Sequence, residues 1–172
     1  NRVPPDMKTP FAVMIFFEPT VVVDIDTPMD FPGLANAVDS AIPGGNIFYA
    51  IKAKGRFEQI SVRSVPRQTK PYPSLLKAVD EQPVFDHQYM DGTLVGFRFP
   101  DYAQGLNVPG YHLHFVSDDR RVGGHVMRFS TSRARVEIDI TSRFQMSLPH
   151  DVDFLAADLA KDTTAAIRKA ET

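Results

Sequence analysis

The sequence predicts an α+β fold: β-rich, with mixed or antiparallel sheets and a few helices. Three observations carry that expectation. Residues Arg133 to Ile140 alternate polar and apolar over eight positions, the period of a half-buried strand. Segments rich in valine, isoleucine and phenylalanine recur along the chain, separated by proline and glycine. Helical spacing of apolar residues is confined to short stretches.

In chain order, Phe11 to Phe17 is a continuous apolar run between Pro10 and Pro19, which predicts a buried strand. Asp30 is placed to cap a helix on which Phe31, Leu34, Val38 and Ile42 share a face, with Pro43-Gly44-Gly45 as its stop. Asn46 to Val65 reads as a strand bent near Gly55. Ile60, Val62 and Ser64 point to one side there, and Gln59, Ser61 and Arg63 to the other. Pro71, Pro73 and Ser74 lead into a short helix with Leu75, Leu76 and Val79. Asp91-Gly92, between Val84–Met90 and Thr93–Phe99, carries the sequence of a two-residue hairpin turn. After Pro149 the pattern turns helical, with Leu155, Leu159, Ala166 and Ile167 on one face.

Composition narrows the function. The chain has 172 residues, long enough for a substantial core, with 43% hydrophobic and 23% charged residues and a formal net charge of −2. No basic block exists to neutralise phosphates, which argues against nucleic acid as a partner. No apolar run reaches the roughly 18–20 residues of a membrane span. The absence of cysteine excludes disulfides and thiolate metal sites.

Chemistry concentrates in residues 110–129, GYHLHFVSDDRRVGGHVMRF, which hold three of the five histidines. In Tyr111-His112-Leu113-His114-Phe115 the strand period puts both histidines on one face. Ser117 to Val122 is rich in turn residues. If it forms the loop, His125 on the returning strand lies opposite His114, with Cβ atoms about 4.5–5.5 Å apart. Gly123 and Gly124 would leave room beside such a site. Three imidazoles with an open fourth position suit catalytic zinc, with iron, manganese or nickel also compatible. The plainer alternative is three polar residues on a solvated sheet face. His87 and His150 lack any ligand spacing and are expected to be structural or exposed. Asp118 and Asp119 are turn residues first.

Asn107-Val108-Pro109-Gly110-Tyr111-His112-Leu113-His114-Phe115 followed by Gly123-Gly124-His125 resembles the signature of the α-acetolactate decarboxylases. So do Asn46-Ile47-Phe48-Tyr49-Ala50, Arg63-Ser64-Val65-Pro66-Arg67-Gln68, Pro71-Tyr72 and Gly92-Thr93-Leu94-Val95-Gly96-Phe97. The resemblance implies a carboxy-lyase that converts 2-acetolactate to acetoin and carbon dioxide, with Zn2+ on His112, His114 and His125. It assigns the family's arginine to Arg63, although Arg67 competes for that task, and a glutamate near the C-terminus to Glu171. By default Arg63 would be a surface charge and Glu171 a frayed, solvated carboxylate.

The resemblance further implies a two-domain fold with the histidine-bearing β-hairpin in a cleft, a homodimer and a cytoplasmic setting, though removal of a secretion signal upstream of Asn1 is also compatible. The expected division is residues 1–70 as the remainder of an N-terminal sheet lobe and 71–172 as the metal-binding lobe. The family's upstream segment, with a second active-site glutamate, is expected to be missing here, since the chain opens at Asn1-Arg2-Val3-Pro4-Pro5, past where that segment would end, and Glu18 sits outside the matching motif. The competing expectation is a non-catalytic, cupin-like metal-binding module. Cupins, however, place their last histidine far downstream, whereas His125 follows His114 by 11 positions.

Overall fold

In the computed structural model, residues 11–69, 77 and 82–158 are described. They form a six-stranded antiparallel sheet with few helices. β1 (Val21–Ile25) and β2 (Met29–Asp30) lead into helix α1 (Phe31–Ala41). The long strands β3 (Phe48–Arg63) and β4 (Val84–Phe99) follow, then β5 (Gly110–Ser117), β6 (Gly123–Thr141) and a short helix, α2 (Val152–Leu155). The order is β1-β6-β3-β4-β5, and β6 also pairs with β5, which folds the sheet back on itself. Strands from before and after residue 70 thus share one sheet.

α1 forms where its cap and spacing predict. The Asp30 carboxylate accepts the Gly33 N–H at 3.0 Å, Pro32 sits in the first turn, and Ile42 ends the helix. Its buried residues are Leu34 and Val38, each contributing about 1.5–3 kcal/mol by leaving water. A polar strap fixes the helix to the sheet. Asp39 accepts from Arg98 Nε at 2.7 Å and from the Tyr111 hydroxyl at 2.8 Å, and that hydroxyl also donates to the Ala35 carbonyl. Tyr111 precedes His112, so the strap anchors the start of β5. Deeper in, Phe57 packs nearly perpendicular to Phe115 and Phe129, at centroid distances of 5.4 and 5.6 Å.

Two expectations are corrected. Phe11 to Phe17 is not a strand: residues 11–20 are irregular, with Met14 88% and Phe16 96% exposed, and pairing starts only at Val21. A short apolar run has no period that distinguishes a buried strand from an apolar segment lying on a surface, and Pro19 has no N–H for a ladder. The segment is tied at its end, where the Glu18 N–H donates to Asp139 and the Thr20 N–H to the Ile138 carbonyl.

Asp91-Gly92 is not a turn either. β4 runs unbroken through it, with Asp91 opposite Arg56 and Gly92 opposite Gly55. Glycine serves packing there: a Cβ on Gly92 would stand 2.5 Å from the Phe115 ring. The predicted helix at Leu75, Leu76 and Val79 lies outside the described residues. Of the helical pattern expected after Pro149 the described part holds α2, which ends at Leu155 with its cap at Ala156, and Leu159, Ala166 and Ile167 lie outside the described residues.

Gly96 is under the tightest constraint, since a Cβ there would lie 1.9 Å from the His112 carbonyl oxygen. Gly96→Ala should therefore cost about 2–3 kcal/mol by forcing β4 from β5. Gly44→Ala, with nothing within 4 Å, should change stability by under about 0.5 kcal/mol. Urea unfolding midpoints check both; similar midpoints for the two variants would refute the constraint.

Candidate metal centre

β5 buries Leu113 and Phe115 and turns His112 and His114 to the opposite side. The loop between β5 and β6 is closed by its own polar groups. Ser117 Oγ donates to Asp119 at 2.6 Å, and the Arg121 N–H donates to the same carboxylate at 3.0 Å. Ser117 and Asp119 therefore act as turn residues and set the register of the returning strand. That register pairs His114 with His125.

The three rings converge. Centroids are 5.1 Å apart for His112–His114, 4.9 Å for His112–His125 and 5.4 Å for His114–His125. The Nε2 atoms of His112 and His114 are 3.0 Å apart, and one nitrogen from each of the three rings lies within 4.8 Å of the others. His125 Nε2 is sealed from solvent. Nitrogens bound at about 2.0–2.1 Å to a common tetrahedral ion lie roughly 3.4 Å apart, so this donor set fits a metal with little adjustment.

β6 then carries the arrangement to β3. His125 is directly opposite Arg63, so Val95, His114, His125 and Arg63 form one cross-strand row over four strands. Arg63 is buried on β3, whereas Arg67 is exposed beyond the strand end. The close approach of β6 and β3 requires Gly124, whose Cβ would meet the Arg63 carbonyl oxygen at 2.5 Å. His112, His114, His125 and Arg63 open into one cleft of about 970 Å³, walled by Val95 and Phe97 and by the irregular segment through Phe11 and Phe17. His87 and His150 lie elsewhere, and Glu171 lies outside the described residues.

Burial lowers the His112 pKa to about 4, assisted by the neighbouring His114 and by the Arg63 cation. Burial lowers that of His114 as well. Both rings are thus neutral at pH 7, the form that binds metals. The sign for stability follows. Between the ordinary value of 6.5 and about 4, the unfolded chain takes up a proton that folded His112 refuses. This part of the stability is complete above pH 6.5 and is lost as pH falls toward 4. The metal-free chain should melt at lower temperature at pH 4.5 than at pH 7.5, and His112→Asn should narrow the difference. An equal difference in both proteins would refute the assignment.

Residues 1–161 match the family described as alpha-acetolactate decarboxylase. The chain belongs to that family. It is 52% identical over 169 residues to the alpha-acetolactate decarboxylase of Methylococcus capsulatus, covering 98% of this chain and 65% of that protein. It is 39% identical over 172 residues to that of Brevibacillus brevis, covering 60% of it. The crystal structure of the alpha-acetolactate decarboxylase of Bacillus subtilis strain 168 superimposes with a TM-score of 0.88 at 36% identity, over 91% of this chain and 67% of that one. This chain thus spans just under two thirds of these curated relatives. Among the described residues, no helix is long and apolar enough to cross a membrane.

Proposed function

We propose that this chain carries the metal centre of an alpha-acetolactate decarboxylase and decarboxylates 2-acetolactate to acetoin and carbon dioxide. The observation that carries the proposal is the row of His114, His125 and Arg63, with His112 beside it, at one cleft of a chain belonging to this family. In this proposal His112, His114 and His125 hold Zn2+, which when bound supplies Lewis-acid polarisation of substrate oxygens. Imidazoles ligate in their uncharged form, so the three would leave a bound ion its full positive charge, and the Tyr111 strap fixes the strand that presents two of them.

Arg63 contributes a second positive charge one strand from His125. It orients the substrate carboxylate before the carbon–carbon bond breaks and offsets the negative charge left as carbon dioxide departs. The apolar walls of the cleft keep water from that carbon. A proton must then reach the new carbinol carbon, and Glu171 is proposed to deliver it. The family resemblance further supports a homodimer at work in the cytoplasm.

The test is zinc stoichiometry together with acetoin formation from racemic 2-acetolactate, on the 172-residue chain. One zinc per chain with turnover is the expected result. Zinc without turnover would favour a non-catalytic metal-binding module, and no zinc would refute the proposal.

A further inference from the structure

Two side chains of β4 stand beside the histidines in the apolar wall of the cleft. Val95 is directly opposite His114, and Phe97 directly opposite His112. Such partners share a face with Cβ atoms about 4.5–5.5 Å apart, so both apolar groups flank the imidazoles. Val95 is 41% exposed, although its neighbour Leu94 is fully buried, and both Val95 and Phe97 face the cleft. Gly96, between them, lies against the His112 carbonyl, which holds β4 hard against β5. Phe97 is backed by Phe99 at a centroid distance of 5.7 Å. This wall is close to the site and has little freedom to retreat.

The cross-strand row also has a direction. Arg63 stands at one end, the histidines in the middle, and Val95 at the other end with Phe97 next to it. A ligand bridging the histidines therefore meets a cation on one side and a hydrocarbon surface on the other. An acid whose carboxylate lies toward Arg63 presents its alkyl substituents to Val95 and Phe97. We propose that Val95 and Phe97 are the specificity wall of this site and limit the length of the alkyl chain on a 2-hydroxy acid bound there. The inference rests on the proposed function and names which side chains set its substrate range.

Binding tests it without requiring turnover. The zinc-loaded chain is titrated calorimetrically with 2-hydroxy-2-methylpropanoate, -butanoate, -pentanoate and -hexanoate. A hydrophobic pocket discriminates by about tenfold or more per methylene at its limit. The parent should show one such break in the series. Val95→Ala and Phe97→Leu should move the break to a longer chain, and Val95→Phe to a shorter one, with zinc stoichiometry unchanged. Val116→Ala, on the same side of β5 but outside the cleft lining, should leave it in place. Zinc uptake with a break that ignores Val95 and Phe97, or that moves equally with Val116, would overturn the wall alone. Failure to take up zinc would overturn the proposed function and the wall with it.

Discussion

His114→Ala is expected to weaken zinc binding by two to three orders of magnitude and abolish decarboxylation, while leaving the metal-free fold intact. The magnitude comes from the ligand count. Structural zinc sites with four ligands are worth about 10–16 kcal/mol, or about 2.5–4 kcal/mol per ligand, which is roughly 10²–10³ in affinity. A site with three protein ligands has no spare donor to compensate, and among the described residues no other histidine, aspartate or glutamate joins the cluster. His114 also holds the middle position, opposite Val95 on one side and His125 on the other.

The fold should not notice the change. The core side chains of β5 are Leu113 and Phe115, on the other face, and His114 is the most exposed of the three histidines. The unfolding free energy without metal should therefore move by less than about 0.5 kcal/mol. His87→Ala and His150→Ala serve as controls and should retain the parent's affinity. A competitive titration against a zinc-chelating dye measures all three. Parent-like affinity in His114→Ala would remove the triad as the metal site.

The sequence made this hairpin legible because two independent signals agreed on one register. Alternation put His112 and His114 on a common face, and the turn residues after Val116 put His125 opposite His114. The helix at Phe31 was legible for a similar reason, since its cap, spacing and stop coincided. Asp91-Gly92 failed because one local signal stood alone. A hairpin turn and a glycine under an aromatic ring both select against a side chain, and only the position of Phe115, 23 residues downstream of Gly92, tells them apart.

Phe11 to Phe17 failed because apolarity without a period does not specify what lies against it. β1, Val21–Ile25, carries strong β propensity in Val-Val-Val-Asp-Ile but starts only after Glu18-Pro19-Thr20, three residues beyond the aperiodic run. Val95 and Phe97 could not be recognised beside the histidines at all. Their place depends on the β4–β5 register, which local sequence does not encode when the preceding turn is misplaced.

Arg63→Ala should leave zinc in place and remove most of the turnover, separating the cation's work from the metal's. Arg63 sits across β6 from His114, in register with His125, and is not needed for the three nitrogens to converge. Loss of one well-placed donor to developing negative charge typically costs about 10²–10³ in kcat, and a similar loss is expected here. If the guanidinium held only the substrate carboxylate, and equally in ground and transition states, KM would rise with kcat unchanged. The kinetic split therefore reports where along the reaction the cation acts.

Arg63→Lys keeps a charge but loses the planar fork, and is expected to recover only part of the rate. A second readout is independent of turnover. The Arg63 cation is one of the causes that hold down the His112 pKa, after burial and His114. In the metal-free chain Arg63→Ala should raise that pKa, by NMR titration of the imidazole, and Arg63→Lys should largely preserve it. An unchanged His112 titration together with unchanged kcat would place Arg63 outside the site, and the assignment would fail on both counts.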